Sequence, residues 1–390
     1  MMLIKRKKRV FFIVLDSAGI GALPDWRDYD DEPGFTVGHV ASACGGLSMP
    51  HCAALGLGNI VPLDGVAPVP DPKGAYGKAP LTTCGKDTTA GHWEMMGIIL
   101  KERFPVFPEG FPADFIERLE EAFGIGVLCN RPYSGTAVIE DFGREHLATK
   151  KPIVYTSADS VLQIACHEEL WPHESLYDLC EKARRLCAGP YGVGRVIARP
   201  FVGEPGRFER TKYRRDFSLT PPDPNYLTAL REKAIPTWGV GKIGDIFANT
   251  GFSALSPVKG NPLCVEETLR LMNEEERGFF FVNLVDFDML YGHRNDAAGY
   301  GKALNDFDAA LGEMEQRLTA DDLLIITADH GNDPTTVSTD HNREYVPVLM
   351  AGDGVPAGSL GTLSSPADLG ATAYAALTGE EADIPGENVL

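Results

Sequence analysis

Residues 323–332 read Leu-Leu-Ile-Ile-Thr-Ala-Asp-His-Gly-Asn, and this stretch decides the fold. An apolar run rich in β-branched residues that ends at Gly-Asn is typical of a buried strand that runs into a loop. Asp329 and His330 follow that run directly, and His341 comes eleven residues after His330. In open α/β sheets, ligands bind at the carboxyl ends of the strands. The sequence therefore predicts metal-binding side chains at one edge of an α/β sheet.

Two other apolar runs end in the same kinds of side chain. Residues 9–15 lead to Asp16, and residues 279–285 lead to Asp286, Asp288 and His293. Three separate strands thus deliver carboxylates or imidazoles at their ends. Three oxygen and three nitrogen ligands are sufficient for two divalent ions that share one site. The candidate metal ligands are Asp16, Asp288, His293, Asp329, His330 and His341.

Each of these residues has an ordinary structural explanation when it is taken alone. An aspartate at a strand end is usually a turn residue or a helix cap, and a single histidine carries no more information. Clusters of histidine and carboxylate suit Mn and Zn, although such ligands accept several divalent metals. The agreement of three strand ends favours a metal site over three unrelated turns.

The length and charge set the frame for the fold. The 390 residues exceed what one simple core usually holds, so we expect one large domain and a smaller one. The formal net charge of -19 argues against a nucleic-acid partner, because a phosphate backbone requires a basic surface. Local basic patches near a phosphate substrate remain compatible with that charge.

The cysteines and the amino-terminal residues indicate the cellular compartment of the protein. Eight cysteines are scattered without a CxxC pair, which indicates reduced thiols in a cytoplasmic protein. The basic start is followed by a short apolar run that ends at Asp16 without a cleavage site, so it is better explained as the first strand than as a signal peptide. No apolar stretch approaches the roughly 20 residues that span a membrane. We expect a cytoplasmic protein without membrane contact, and no protein partner is predicted.

Two proline-rich passages, at 104–112 and 219–224, indicate domain connections. The segment between them carries its own predicted elements: helices over 114–124 and 175–187, and strands over 152–155 and 195–198. Asp16 lies before this segment, whereas the other candidate ligands lie after it. We therefore predict a core made of 1–103 and 221–390, with an inserted α+β cap domain over 104–220.

The second part of the core reads as strand, helix, strand. Apolar residues recur at helical spacing from Ala303 to Leu318, between the His293 loop and the strand at Leu323. This is the crossover unit of a mostly parallel sheet flanked by helices. Residues 346–350 form a further predicted strand, whose Pro347 indicates an edge or strand-start position.

Residues 83–94 read Thr-Cys-Gly-Lys-Asp-Thr-Thr-Ala-Gly-His-Trp-Glu and place hydroxyl groups in a glycine-flanked turn. A bound metal lowers the pKa of a hydroxyl and makes it a nucleophile near neutral pH. Thr88 or Thr89 is the candidate nucleophile. The structural alternative is that these threonines cap a helix that continues through Glu94. Both explanations can hold, because a helix amino terminus also favours phosphate.

Three segments together resemble those of the phosphopentomutases, which belong to the alkaline phosphatase superfamily. They are Gly-Lys-Asp-Thr-Thr-Ala-Gly-His-Trp-Glu at 85–94, Val-Asp-Phe-Asp-Met-Leu-Tyr-Gly-His-Arg at 285–294 and Thr-Ala-Asp-His-Gly-Asn-Asp-Pro at 327–334. The resemblance runs from about Arg9 to Met350 and includes the insert. It implies an alkaline-phosphatase-like core and the interconversion of ribose 1-phosphate and ribose 5-phosphate, and of the 2-deoxyribose equivalents.

The resemblance also implies roles for individual residues. Thr88 is the residue that carries the phosphoryl group, and two Mn ions lie beside it. Asp16, Asp329 and His330 are expected to hold the ion nearer Thr88. The other ion falls to Asp288, His293 and His341.

Further residues resemble the substrate contacts of the family. Ser157 and Asp159, in a segment that resembles its sugar-binding segment, are implied to contact ribose hydroxyls, and Arg210 and Lys242 the distal phosphate. Taken alone, the first two belong to an ordinary strand-end turn, and the two cations to a solvated surface. Two departures from the family pattern are Tyr213, where Asn is usual, and Ala90, where a hydroxyl residue is frequent.

The implied cycle passes through a sugar bisphosphate. Phosphorylated Thr88 gives its phosphoryl group to the free hydroxyl of the pentose phosphate, and the bisphosphate reorients and returns its other phosphate. The resemblance implies that a sugar bisphosphate such as glucose 1,6-bisphosphate activates the enzyme. It also implies a place in pentose phosphate metabolism and nucleoside catabolism. A lid that excludes water would protect this cycle, and the insert is the candidate.

Two alternatives stay open at this point. A two-metal phosphatase or phosphodiesterase would use the same core to transfer the phosphoryl group to water. A non-catalytic metal-binding protein would retain the ligands without chemistry. A sulfatase is disfavoured because Cys84 lacks the Cys-x-Pro-x-Arg context, and the cofactor-independent phosphoglycerate mutases use serine where Thr88 stands.

Overall fold

The computed structural model describes residues 6–157 and 160–390. Asp159, a predicted sugar contact, lies outside the described residues. The chain divides into two compact units. The first combines the residues up to Glu102 with Pro221–Leu390, and the second is Arg103–Thr220.

Both units contain β-strands, which are numbered here in chain order. They are β1 (Arg9–Leu15), β2 (Ala75–Ala79), β3 (Leu128–Pro132), β4 (Ile153–Thr156), β5 (Val161–His167), β6 (Arg195–Val202), β7 (Glu209–Arg210), β8 (Arg215–Ser218), β9 (Thr237–Val240), β10 (Ala254–Ser256), β11 (Gly278–Leu284), β12 (Asp322–Thr327), β13 (Val346–Ala351) and β14 (Gly358–Thr362).

The helices vary from single turns to long crossover elements. They are α1 (Thr36–Ala43), α2 (Pro50–Leu55), α3 (Leu57–Ile60), α4 (Thr88–Met95), α5 (Ala113–Phe123), α6 (Ala137–Thr149), α7 (His173–Leu186), α8 (Tyr226–Glu232), α9 (Ile243–Ile246), α10 (Asn261–Glu274), α11 (Ala297–Arg317) and α12 (Ala367–Thr378). A π-helical turn at Phe287–Tyr291 and a 3₁₀ turn at Gly292–Arg294 follow β11. Among the described residues, no helix combines the length and the apolar character needed to cross a membrane.

The first unit contains an eight-stranded sheet in the order β10-β9-β11-β1-β12-β13-β2-β14. β1, β11 and β12 pair in parallel and are buried along their whole length, which explains their nearly continuous apolar sequences. Leu15 pairs with Leu284, and Val14 pairs with Thr327, so the three strands end at the same edge. The predicted α/β fold with a mostly parallel sheet is confirmed.

Helix α11 connects β11 to β12 as the sequence predicts. Its apolar stripe, which includes Leu304, Phe307, Leu311 and Met314, is buried. The stripe is thus a packing face of the crossover helix. This connection fixes β11 and β12 on either side of β1 and brings their carboxyl ends together.

Strand β13 decides between the edge and the strand-start position predicted for Pro347, in favour of the strand start. β13 lies between β12 and β2 and is antiparallel to both, so it is an interior strand. Pro347 is its second residue and pairs with Lys78 of β2, whereas the ladder to β12 begins only at Val348. The missing N–H of proline therefore falls at a strand start, where no β12 hydrogen bond is lost.

The second unit is a mixed α+β structure. Its strands form a sheet in the order β3-β4-β5-β6-β7, and β8 pairs with β6. Helices α5 and α7 contribute Phe115, Leu119, Leu176 and Leu179 to one hydrophobic cluster with this sheet. Helix α5 ends at Gly124, whose φ of 71° is accessible to glycine without strain.

Candidate active site

The strand ends bring His330 close to two carboxylates. His330 Nε2 lies 3.6 Å from Asp16 Oδ1 and 3.3 Å from Asp329 Oδ2. All three side chains are fully buried. β1 and β12 are neighbours in the sheet, so the residues that follow them meet at its carboxyl edge.

A second group forms around Asp288, which lies on the π-helical turn after β11. Its Oδ2 is 3.2 Å from His293 Nε2, and its Oδ1 is 3.2 Å from His341 Nε2. The two imidazole nitrogens lie 3.2 Å apart. The π-helical turn and the 3₁₀ turn after it carry Asp288 and His293 on one short segment.

Two sets of three residues have the spacing needed to hold a metal ion. Their ligand atoms all lie within 4.8 Å of one another, and the sets are Asp288, His293 and His341, and Asp16, Asp288 and His330. Asp288 belongs to both. The structure therefore brings the six predicted ligands to one edge. The first set is the predicted trio, whereas the second set contains Asp288 where the prediction had Asp329, which lies beside that set with its Oδ2 3.3 Å from His330 Nε2.

The buried oxygens of this site fit divalent cations. Asp16 Oδ1 and Asp329 Oδ2 are buried without a hydrogen-bond partner. A buried carboxylate oxygen without a partner is costly, and a cation removes that cost. Carboxylate oxygens and imidazole nitrogens are also the mixed donor set that several divalent metals accept.

The pKa values of the protein groups agree with this interpretation. Burial, together with the charges of Asp329 and Asp288, raises the pKa of Asp16 to about 7. Burial acts against the charged form of His330, yet the neighbouring Asp329 outweighs it and raises the histidine pKa to about 10. The pKa of Asp288 is well below its usual range because His341 and His293 outweigh its burial. Metal binding at such a site releases the protons that these groups hold.

Amide groups donate a hydrogen bond to one oxygen of each carboxylate. Asn283 Nδ2 donates to Asp16 Oδ2 at 2.8 Å, and the backbone N–H of Ser17 donates to Asp329 Oδ1 at 2.9 Å. Asn332 Nδ2 donates to Asp288 Oδ1 at 2.8 Å. Partners of this kind orient metal ligands and tune their affinity.

These orienting residues were missed by the sequence analysis. Asn283 carried a signal, because it is a polar residue within the otherwise apolar strand β11. Ser17 carried none, since its contribution comes from a left-handed backbone with a φ of 71°. That conformation is uncommon for a non-glycine residue and persists only where the surroundings impose it.

Thr88 is the first residue of α4, and its hydroxyl reaches the metal-ligand group. Thr88 Oγ1 lies 3.4 Å from His330 Nε2, and the residue is 7% exposed. The helix cap is Asp87, whose side chain accepts hydrogen bonds from the N–H groups of Thr89 and Ala90 at 3.1 Å. The alternative in which the threonines themselves cap the helix is therefore wrong.

Gly91 allows α4 to lie directly against the end of β12. A Cβ atom at this position would lie 2.3 Å from the backbone oxygen of Asp329. Real Cβ atoms essentially never approach backbone so closely. The glycine therefore sets the distance between the helix of Thr88 and the Asp329 segment.

Arg343 connects the loop before Thr88 with the segment that contains His341. The buried guanidinium donates to the carbonyl oxygens of Leu81, Thr83 and Gly85, at 3.0, 2.8 and 2.7 Å. Lys86 adds a second connection, because its ammonium group contacts Asp31 and lies 3.0 Å from Asp340. The loop before Thr88 and the segment that contains His341 are thus held together.

The predicted substrate contacts lie in both units. Lys242 precedes α9 in the first unit, and its charge acts to lower the pKa of Asp16. Ser157 follows β4 and is partly buried. Arg210 lies on β7, where its Nε donates to the carbonyl oxygen of Gly135 at 3.1 Å. Tyr213, the residue that departs from the family pattern, stacks on His173.

Comparisons with known proteins decide the family. A model described as the Metalloenzyme superfamily matches residues 8–381. A phosphopentomutase of Desulfitobacterium hafniense is 51% identical over 384 residues, which cover 98% of this chain and 99% of that protein. A phosphopentomutase of Caldanaerobacter subterraneus is 52% identical over 366 residues, which cover 94% and 93%.

The chain belongs to the phosphopentomutase family. The resemblance found in the sequence is confirmed, and the chain is a mutase enzyme of that family. Among solved structures, the PH0037 protein from Pyrococcus horikoshii has a TM-score of 0.51 at 14% identity, with 98% of this chain and 99% of that chain covered. That similarity concerns the fold alone.

Proposed function

We propose that this member of the phosphopentomutase family interconverts ribose 1-phosphate and ribose 5-phosphate, and the 2-deoxyribose equivalents, through phosphorylated Thr88. The observation that carries the proposal is the position of the Thr88 hydroxyl, 3.4 Å from His330 Nε2 beside the two sets of metal ligands.

The six carboxylate and imidazole residues would hold two divalent ions, for which Mn²⁺ is the proposed metal. When bound, such ions stabilise the charge of a transferring phosphoryl group and lower the pKa of a coordinated hydroxyl. The protein contributes the positions of the ligands. Asn283 and Ser17 each donate to one oxygen of Asp16 and of Asp329 and leave the other oxygen without a hydrogen-bond partner, and Asn332 donates to Asp288 Oδ1.

The phosphoryl group on Thr88 would not depend on the amino terminus of α4. The carboxylate of Asp87 already accepts from the N–H groups of Thr89 and Ala90, which are the donors that an anion would use. Lys242 is the proposed cationic partner for a phosphate in the first unit. Its location agrees with this role, since it acts electrostatically on Asp16.

The second unit supplies the other proposed substrate contacts. Ser157 and Asp159 are the proposed partners of ribose hydroxyls, and Arg210, like Lys242, is a proposed contact of the distal phosphate. In this proposal the unit acts as a cap that excludes water, because water would divert the phosphoryl group into hydrolysis. A sugar bisphosphate such as glucose 1,6-bisphosphate would supply the first phosphoryl group to Thr88.

The amino-acid composition supports the proposed cellular compartment and the proposed partners. All eight cysteines are free thiols, which agrees with a reducing compartment such as the cytoplasm. The proposed partners are pentose phosphates alone, and the net charge of -19 agrees with the absence of a nucleic-acid partner.

Labelling with radioactive phosphate tests the proposal at the residue level. The metal-loaded protein is incubated with glucose 1,6-bisphosphate labelled in its phosphates, and the labelled peptide is identified by mass spectrometry. We expect label on Thr88, and its transfer to a pentose phosphate when unlabelled ribose 5-phosphate is added. Thr88→Ala removes the label and Thr89→Ala retains it. Label on Thr89, or on neither residue, contradicts the proposal.

A further inference from the structure

Two buried polar side chains, His92 and Asn283, connect the helix of Thr88 with the carboxylate of Asp16. Both residues are fully buried, and neither belongs to the metal-ligand sets. His92 lies one helical turn after Thr88 on α4, and Asn283 lies near the end of β11. Buried polar groups of this kind are costly unless they are hydrogen-bonded, so their contacts are informative.

The contacts of His92 assign one role to each ring nitrogen. Nδ1 lies 2.9 Å from the carbonyl oxygen of Thr88 and 3.0 Å from Asp329 Oδ2. Both neighbours are acceptors, so Nδ1 carries the hydrogen, which it donates to Thr88. Nε2 lies 3.1 Å from Asn283 Nδ2. An amide nitrogen is a donor, so Nε2 accepts.

Asn283 uses both hydrogens of its amide nitrogen. One is donated to Asp16 Oδ2 at 2.8 Å and the other to His92 Nε2 at 3.1 Å. Turning the amide over would place its oxygen against two acceptors. The accepting nitrogen of His92 therefore fixes the orientation of Asn283, and Asn283 fixes Asp16 so that Oδ1 is left without a hydrogen-bond partner.

We propose that His92 and Asn283 are positioning residues that set the direction of the Asp16 carboxylate and the first turn of the Thr88 helix together. This inference rests on the proposed function for the role of Thr88, whereas its claim about Asp16 concerns metal binding alone. The alternative is that the pair only fills the core beside Phe281, whose ring centroid lies 5.7 Å from that of His92. Positioning and packing predict different patterns among variants.

Two substitutions of His92 test the roles of its two ring nitrogens separately. In His92→Asn, the amide NH₂ takes the position of Nδ1 and retains the donor to Thr88, but the acceptor for Asn283 is lost. In His92→Gln, the amide oxygen reaches the position of Nε2 and still accepts from Asn283, but the donor to Thr88 is lost. Asn283→Leu removes both hydrogen bonds at similar volume.

The primary readout is the affinity of metal-free protein for Mn²⁺, measured by isothermal titration calorimetry. We expect His92→Asn and Asn283→Leu to weaken Mn²⁺ binding about 10- to 100-fold, the usual effect of removing the partner of a metal ligand. We expect His92→Gln to bind Mn²⁺ as the unaltered protein does. Its kcat falls while KM for ribose 5-phosphate is unchanged, because the Thr88 helix turn has lost its partner.

If His92 and Asn283 only fill the core, the Mn²⁺ affinities of the variants follow a different pattern. If His92→Asn and His92→Gln weaken Mn²⁺ binding equally, or if neither changes it, the inference is overturned. Loss of affinity that merely follows a fall in melting temperature overturns it as well. Because Mn²⁺ affinity needs no substrate, failure of the pentose phosphate proposal would leave this pattern intact, and the two failures are distinguishable.

Discussion

The hydroxyl of Thr88 lies 3.4 Å from Nε2 of His330, so the proposed nucleophile and a candidate metal ligand are in direct contact. Thr88 begins α4, whereas His330 follows β12. Two elements far apart in sequence therefore meet at the carboxyl edge of one sheet. Gly91 permits the contact, since a side chain there would collide with the backbone of Asp329.

Asp288 is shared by the two metal-ligand sets, so its loss has a larger effect than loss of an outer ligand. We expect Asp288→Asn to bind neither ion, and His293→Asn to retain one, because His293 belongs to only one set. Inductively coupled plasma mass spectrometry of Mn²⁺-loaded, desalted protein gives the stoichiometry. One retained ion in Asp288→Asn together with none in His293→Asn would contradict the shared role.

Arg343 should control the nucleophile loop rather than the metals. Arg343→Lys cannot reproduce three donors to the carbonyls of Leu81, Thr83 and Gly85. We expect a loss of about 1–3 kcal/mol in the free energy of unfolding, the usual cost of leaving buried polar groups unsatisfied. A lower kcat with unchanged Mn²⁺ stoichiometry accompanies it.

Urea unfolding and steady-state kinetics measure this prediction. The matched control is Arg277→Lys, because Arg277 makes an exposed hydrogen bond to the carbonyl oxygen of Ala234. We expect no change in kcat for the control. Equal effects of the two substitutions would show that Arg343 has no special role in holding the loop.

Gly91→Ala tests the close approach of α4 to Asp329. The new methyl group would lie 2.3 Å from a backbone oxygen, which cannot move away as a flexible side chain can. We expect destabilisation of about 1–3 kcal/mol, typical of overpacking, together with weaker Mn²⁺ binding. The control is Gly312→Ala in α11, where the three atoms nearest to the new methyl group belong to the ring of the His51 side chain rather than to backbone. Tolerance of Gly91→Ala in both measurements contradicts the steric account.

Glu344 should make the stability of the fold depend on pH. Burial raises its pKa from 4.5 to about 7, although the N–H and hydroxyl of Thr36 and the N–H of Gly21 donate to it. The folded state therefore holds the proton more tightly than the unfolded chain does. The contribution of Glu344 to stability is fully present below about pH 4.5 and is lost as the pH rises through about 7.

The loss amounts to about 3 kcal/mol, since one pKa unit corresponds to about 1.4 kcal/mol. The side chain of Glu344→Gln does not titrate. We therefore compare the free energy of unfolding of the unaltered protein with that of this variant, and we expect the advantage of the unaltered protein to be larger at about pH 5 than at about pH 8. Urea unfolding with saturating Mn²⁺ measures the difference. The control is Glu380→Gln, at an exposed ion pair with Lys233. A constant difference across this range contradicts the prediction.

The sequence predicts the sheet and the ligand residues well because the three central strands are buried on both faces. Such strands have nearly continuous apolar sequences, so their ends at Asp16, Asp288 and Asp329 are visible without a structure. The cap of α4 was harder to predict, because Asp87, Thr88 and Thr89 are all common capping residues. Only the hydrogen bonds to Asp87 separate them.

Other features depend on contacts between distant parts of the chain. The interior position of β13 follows from its pairing with β12 and β2, whereas Pro347 alone left an edge strand and a strand start as alternatives. A single asparagine in β11 likewise says nothing about which carboxylate it faces. The orientation of Asp16 by Asn283 is therefore a property of the folded site rather than of a local sequence pattern.

The central claim is that Thr88 transfers a phosphoryl group within one pentose and not to water. The direct measurement is to incubate the protein with Mn²⁺, a trace of glucose 1,6-bisphosphate and ribose 5-phosphate, and to quantify ribose 1-phosphate and free phosphate in the same sample. We predict ribose 1-phosphate without stoichiometric free phosphate, and no turnover in a folded Thr88→Ala variant. Free phosphate as the only product, or near-normal mutase activity in Thr88→Ala, would contradict the account.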